Sequence, residues 1–283
     1  MLLILFLDLL GFTLIFPLIP DLLEHYLRQA VGLKLDLWLI AFGQFIEAVL
    51  PRALESGEAR GYGVDSLLIV VLGGILASLY SLLQFLTAPY WGRLSDRLGR
   101  RTVLLVTSMG LALSYLIWFL SQSFTFFVIS RVVGGCMSGN MGVASAAMAD
   151  ITAPEDRTRS MGMVGAAFGM GFILGPAIGG LSAIFGEALR ELAPNVLHVF
   201  SAPALAAFVL SLLSAVLNFA YFAETLTERA GGGHVWIENP IKLFLRNLRD
   251  PAFGSILLIN FLYVIVFAAY EFSFTFLFKL EFG

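Results

Sequence analysis

Cysteine, histidine and charge are all scarce in this chain, and each shortage removes a class of function. The single cysteine, Cys136, has no partner in the sequence, so an internal disulfide framework is excluded. His25, His198 and His234 stand singly, which argues against a metal site. Charged residues are only 13% of the total and the formal net charge is -3, which leaves no basic footprint for nucleic acid. No Walker-type G-K-S/T loop is present, so nothing points to ATP as a driving force. No N-x-S/T acceptor occurs either. No nucleophile, base and orienting group gather at a water-accessible position, so neither an enzyme nor a cofactor is expected.

Apolar residues are abundant instead. At 59% apolar and a mean hydropathy of +0.88, the chain reads as an all-α integral membrane protein. Runs of about 20 apolar residues suffice to cross a bilayer, and seven are expected. They cover Met1 to Ile19, Leu67 to Trp91, Thr102 to Leu120, Phe124 to Ala149, Ser160 to Phe185, Ser201 to Phe222, and Ser255 to Leu280. Met1 opens directly into the first run without the basic start and small-residue cleavage site of a signal peptide, so a short or missing lead-in is expected. Gly11, Pro17 and Pro20 should bend the outer end of that helix.

The connections carry the charge. The stretch Asp21 to Asp65 holds seven acidic and four basic residues, which suits the outer side. Within it, Trp38, Ala41, Phe42, Phe45 and Val49 recur at helical spacing, fitting either an interfacial amphipathic helix or a short core helix. After Glu224 a hydrophilic linker runs to Asp250 around Gly231, Gly232 and Gly233. Its second half, NPIKLFLRNLRDP, predicts a surface helix capped by Asn239, with Pro240 in the first turn and Pro251 beyond the end. Ile241, Phe244, Leu245 and Leu248 share one face while Lys242, Arg246 and Arg249 lie on another, as expected on an anionic inner leaflet. Expected inner loops hold ten Lys or Arg against five in outer loops, placing the amino terminus in the cytoplasm.

The densest charge is at Gly92 to Arg101, GRLSDRLGRR, between the second and third spans. Gly92 and Gly99 suit a tight reversal, since glycine reaches backbone angles closed to other residues. The pattern formed by Gly92, Asp96, Arg97, Gly99, Arg100 and Arg101 closely resembles the loop motif of the major facilitator superfamily of secondary transporters. A second stretch, GFILGPAIGG from Gly171 to Gly180, is similar to that family's antiporter pattern through Gly171, Gly175, Pro176, Gly179 and Gly180. Gly171, Gly175 and Gly179 repeat every four residues and form one smooth face for another helix. The resemblance implies that this face packs against a helix of the second half of the transporter, as a packing groove alone or with a gating role. It also implies that Asp96 and the arginines latch the cytoplasmic side. Further stretches, among them SRVVGGCMSGN and INFLYVIVFAAYEFSFTFL, resemble drug and proton antiporters and eukaryotic tetracycline-transporter-like proteins of the TETRAN kind, which are associated with organic anions.

Asp8, Arg131 and Glu271 lie inside apolar spans, where each costs roughly 2.5 to 3.5 kcal/mol at the centre and should face a partner or a cavity. An Asp8 to Arg131 ion pair is one reading. The other follows from the resemblance, which implies that a buried carboxylate exchanges a proton for substrate and that the arginine, followed by Gly135, influences coupling. Arg131 could equally hold an anionic substrate, since its planar fork suits carboxylates. Phe16, Tyr80, Phe168, Tyr263 and Tyr270 are further lining candidates. Gln84, Asn140 and Asn260 are preferred among the polar ones, because an unpaired amide in lipid is costly.

The expectation is a major-facilitator-type bundle: an amino-terminal six-helix half at 1–222, a cytoplasmic linker with an amphipathic helix at 223–254, and at 255–283 the first helix of an incomplete carboxyl-terminal half. Its partners would be a small-molecule substrate, protons, the lipid bilayer, and either the missing second helix bundle or another membrane protein. The alternative is a truncated, non-transporting membrane protein, a binding or assembly partner that either binds another protein through its exposed glycine face or is a half-unit that must dimerise.

Overall fold

A computed structural model describes residues 1–33, 41, 44–45, 64–194, 196–226, 240–250 and 253–282. The described residues are helical or in turns, and seven helical stretches are long and apolar enough to cross a membrane. Two compact units divide the chain, Met1–Gly231 and Gly232–Gly283.

The first unit begins with α1 (Leu2–Thr13), a 3-10 turn at Phe16–Leu18, and α2 (Ile19–Leu33). Pro17 and Pro20 lack the N–H groups a continuous ladder needs, and where the sequence predicts a bend the α-helix gives way to a single 3-10 turn before resuming at Ile19. The interfacial helix expected around Trp38 to Val49 falls largely outside the described residues. α3 (Val64–Leu98) and α4 (Arg100–Phe119) follow, separated by Gly99 alone. The basic stretch is therefore no ten-residue turn: its first seven residues continue α3, Gly92 is a helical position, and only Gly99 takes a positive φ, of 102°.

The fourth span is two helices, α5 (Phe124–Met137) and α6 (Asn140–Asp150), broken at Ser138 and Gly139. Side chains of α3 satisfy the freed carbonyls, as a membrane interior requires. Trp91 Nε1 donates to the Cys136 carbonyl at 2.7 Å, and Gln84 Nε2 donates to the Ser138 carbonyl at 3.3 Å. The Trp91 ring fills the space where Gly139 would carry a Cβ. α7 (Arg157–Ala183), the short α8 (Gly186–Leu192) and α9 (Ser201–Tyr221) complete the unit.

Apolar transfer does not hold helices together in lipid; close packing and interhelical hydrogen bonds do. Gly171, Gly175 and Gly179 of α7 lie buried against α1. A Cβ on Gly171 would stand 2.8 Å from that of Leu9, one on Gly175 would overlap the Thr13 hydroxyl, and one on Gly179 would overlap the Leu14 carbonyl. The Thr13 hydroxyl lies 2.8 Å from Gly171 O and 2.9 Å from Leu9 O, so its one O–H is shared between the two carbonyls. This corrects the expectation that the glycine face awaits a helix of the second half, and equally that it stands exposed for a partner. The first helix of the same bundle fills it. Gly180 points elsewhere, with nothing within 4 Å of its Cβ position.

At the end of the bundle opposite the Arg100 cluster, His198 ties α4 to α9. Its Nε2 donates to the Trp118 carbonyl at 3.2 Å, and its Nδ1 accepts the Phe200 N–H at 3.2 Å, fixing a neutral tautomer. Its ring stacks on His25 at 6.0 Å. Burial, reinforced by His25 and opposed by the Trp118 carbonyl, pushes the His198 pKa down to about 4.

In the second unit, α10 (Pro240–Leu248) precedes α11 (Gly254–Phe282), and the Phe244 and Phe261 rings meet at 5.6 Å. The cap expected at Asn239 lies outside the described residues.

Two outcomes follow. Gly175→Ala should lower stability by about 1–3 kcal/mol through overpacking, whereas Gly165→Ala, with nothing within 4 Å, should leave the melting temperature in detergent nearly unchanged. His198 resists protonation when folded but takes a proton near pH 6.5 when unfolded. Its contribution is therefore complete above pH 6.5 and lost as pH falls toward about 4. Between pH 7 and pH 5 the loss should be about 2 kcal/mol, and His198→Gln should flatten that part of the melting profile.

Candidate functional site

Two polar levels cross the interior of the first unit. The lower one centres on Asp8 of α1, which is 5% exposed. Its Oδ2 accepts from Asn140 Nδ2 of α6 and from Ser108 Oγ of α4, the latter at 3.4 Å. Ser214 of α9 adds a hydroxyl to the same cluster. Oδ1 has no hydrogen-bond partner. Three helices thus bring neutral groups to one carboxylate carried by a fourth.

The upper level centres on Arg131 of α5, which is 7% exposed. Its guanidinium carbon lies 5.2 Å from the centroid of the Trp118 ring, 5.3 Å from that of Phe127 and 5.8 Å from that of Tyr115. Such faces attract a cation electrostatically. Nε contacts Ser130 Oγ at 3.3 Å, while Nη2 has no hydrogen-bond partner.

Asp8 and Arg131 do not form an ion pair, so the pairing reading is not realised. Along α4, the residue that meets Asp8, Ser108, and those that meet Arg131, Tyr115 and Trp118, are seven to ten positions apart. That separation is about 10 to 15 Å at 1.5 Å per residue, beyond the partial reach suggested by helix lengths alone. Tyr80 and Tyr115 sit between the levels, each near enough to both charges to interact with them. Gly134 and Gly135 admit Tyr80: a Cβ on Gly135 would stand 3.0 Å from the Tyr80 carbonyl.

Of the other candidate residues, Asn140 belongs to the Asp8 cluster, whereas Gln84 serves the break in the fourth span. Phe16 joins an aromatic group with Phe12 at 5.1 Å and Phe172 at 6.0 Å. Asn260 is exposed on α11 in the second unit, as are Tyr263 and Tyr270, and the side chain of Glu271 lies outside the described residues. Sequence reasoning missed Ser108, Ser214, Tyr115, Trp118 and Phe127 as members of these clusters. A small hydroxyl in an apolar helix, or an aromatic ring at core spacing, gives no signal by itself.

The end of the bundle where α3 meets α4 holds the basic motif. Arg100 is buried, donating from Nη1 to Asp96 at 2.6 Å and from Nε to Asp150 at 3.0 Å. Its backbone N–H donates to Glu224 Oε1 at 2.8 Å, so the start of the linker caps α4. Arg101 donates to the Phe219 carbonyl at 2.6 Å, and Arg97 is exposed. Arg100 therefore acts within this bundle, binding the third span to the fourth. Gly99 is doubly constrained: beyond its positive φ, a Cβ there would overlap the Glu224 carboxylate.

The sequence profile described as Major Facilitator Superfamily matches residues 1–283. The chain belongs to that superfamily. Among relatives of this major facilitator, the "Major facilitator superfamily domain-containing protein 10" of mouse is 33% identical over 96% of this chain. Its human counterpart is 34% identical over the same share, and this chain spans 58% of the length of each. The class H tetracycline resistance protein of Pasteurella multocida is 30% identical over 81% of this chain and 45% of its own. The solved structure of the human organic anion transporter MFSD10 (TETRAN) superposes with a TM-score of 0.75 at 32% identity, covering 99% of this chain and 64% of that one. The chain is thus a multi-pass helical membrane protein of a transporter family.

The two motif glycines should separate in mutagenesis. Gly99→Ala forces a side chain into a glycine-only backbone region and against Glu224, a cost of about 1–3 kcal/mol. Gly92→Ala meets nothing within 4 Å in a helix, and its melting temperature should match or slightly exceed that of the unsubstituted chain.

Proposed function

We propose that this major facilitator is the binding half of a secondary active transporter that exchanges protons for a small organic molecule, an organic anion or a drug-like compound, by alternating access. The observation that carries the reading is the pair of buried, mutually unpaired charges. Asp8 retains a buried oxygen, Oδ1, without a donor, and Arg131 retains a buried Nη2 without an acceptor.

An ionised carboxylate among neutral donors is poorly compensated away from water. A proton on Oδ1 relieves that charge, and a change of access that wets the cluster releases it again. In an exchange cycle, proton and substrate occupy the site in turn. Arg131 offers the converse chemistry: a cation with an unspent N–H, backed by aromatic faces, which suits a carboxylate on an aromatic or otherwise apolar substrate. Tyr80 and Tyr115 bridge the two levels, which supports coupling between them. The amino terminus is assigned to the cytoplasm, on the excess of Lys and Arg in the inner loops. The largely exposed faces of α3 and α7 support a partner of the same kind, a second helix bundle, which rocking about a midplane site requires. The relatives' names support the substrate class, since one is described as an organic anion transporter and others confer tetracycline resistance.

The test is uptake of fluorescein, an aryl carboxylate, and of tetracycline under an imposed pH gradient into proteoliposomes that hold this chain together with its second helix bundle. Asp8→Asn should abolish acceleration by the gradient while leaving binding intact. Arg131→Ala should raise KM for fluorescein about 10- to 100-fold, the value of one charge-assisted hydrogen bond. Unchanged proton-dependent uptake in both variants would sink the reading.

A further inference from the structure

The helix α10 carries a feature that transport does not use. It is bound to the start of the last membrane span by a tight turn: the Gly254 N–H donates to the Asp250 carbonyl at 2.7 Å and the Phe253 N–H to Asp250 Oδ1 at 3.3 Å. A Cβ on Gly254 would overlap the Leu248 carbonyl, so the turn is closed as tightly as glycine permits. This fixes α10 at the end of a membrane span rather than leaving it on a loose tether. Phe244 and Leu248 are half-buried, and Phe244 meets Phe261 of α11. Ile241 and Leu245, one turn apart on the neighbouring edge, are 52% and 49% exposed. Lys242 and Arg246 follow further round the same helix and Arg249 stands in the turn just past its end, all three exposed.

We propose that α10 docks on the membrane surface, with Ile241 and Leu245 entering the headgroup boundary and Lys242, Arg246 and Arg249 meeting the headgroups of anionic lipids. The position beside a membrane span sets the depth, and the three cations next to an apolar edge set the chemistry. Either signal alone binds a membrane marginally, and the two together bind it firmly. Near an anionic leaflet three cations shift such an equilibrium roughly a hundred-fold. The proposal rests on the cytoplasmic assignment of this segment and is independent of transport.

The full chain with Cys136→Ser and Leu245→Cys, labelled with bimane, is placed in nanodiscs of phosphatidylcholine alone or mixed with phosphatidylserine. Acyl-chain-brominated lipids quench a label that enters the bilayer. Strong quenching with phosphatidylserine is expected, reversed by high salt and weak in phosphatidylcholine. The triple variant Lys242→Gln, Arg246→Gln, Arg249→Gln should lose it, and a label at Asn247, on the opposite side of the helix, should remain accessible to iodide in water. Should the triple variant fail to fold, the salt dependence of the unsubstituted helix decides. Equal quenching in both lipids would overturn the role of the cations. A Leu245 label shielded from both lipid and iodide would mean that protein covers this edge, and one open to iodide in both lipids would mean that nothing does; either overturns the proposal. Because both faces of a nanodisc carry the same lipids and no flux is measured, a failure here leaves the transport reading untouched.

Discussion

Inside a bilayer a polar group has no water to fall back on, so each one must find its partner within the protein. The architecture of the first unit follows from that constraint. Thr13 spends its hydroxyl on Leu9 and Gly171, the break in the fourth span is satisfied by Gln84 and Trp91, and Ser114 donates to the Ser130 carbonyl at 2.7 Å. Glycines appear where these contacts need backbones to meet, at Gly171, Gly175 and Gly179 against α1 and at Gly135 against α3. Packing is tight because hydrogen bonding demands proximity, and proximity demands small residues.

Against that background the two incompletely satisfied charges stand out. Asp8 accepts from Asn140 and Ser108 through one oxygen only, and Arg131 rests on aromatic faces with one nitrogen unspent. Elsewhere the same bundle pairs a buried charge fully: Arg100 takes both Asp96 and Asp150. A bundle able to build the Arg100 cluster has left Asp8 and Arg131 about 10 to 15 Å apart along α4, too far for an ion pair. Each charge keeps one buried polar atom without a hydrogen-bond partner, Oδ1 of Asp8 and Nη2 of Arg131.

Much of this was legible in the sequence, and the failures have physical causes. Seven spans, an irregularity in the first of them at Pro17, and the amphipathic helix at Pro240–Leu248 followed from hydropathy and from proline chemistry. Asp8 and Asn140 are both residues that need a partner inside a membrane, and the structure joins them. Glycine spacing showed that the face of α7 is smooth, but smoothness does not name its occupant, and α1 proved to be that occupant. The break at Gly139 was signalled by the glycine- and serine-rich run SRVVGGCMSGN, yet the uninterrupted apolar character of the span concealed it. The aromatic cradle of Arg131 was invisible, because its rings come from two helices at ordinary core spacing.

The most direct test of the central claim is to count the protons released when fluorescein or tetracycline binds the full chain in weakly buffered detergent, read with a pH indicator. Exchange at Asp8 predicts a release that accompanies binding and vanishes in Asp8→Asn while binding persists. Binding without proton release, or the same release from the Asp8→Asn chain, would contradict it.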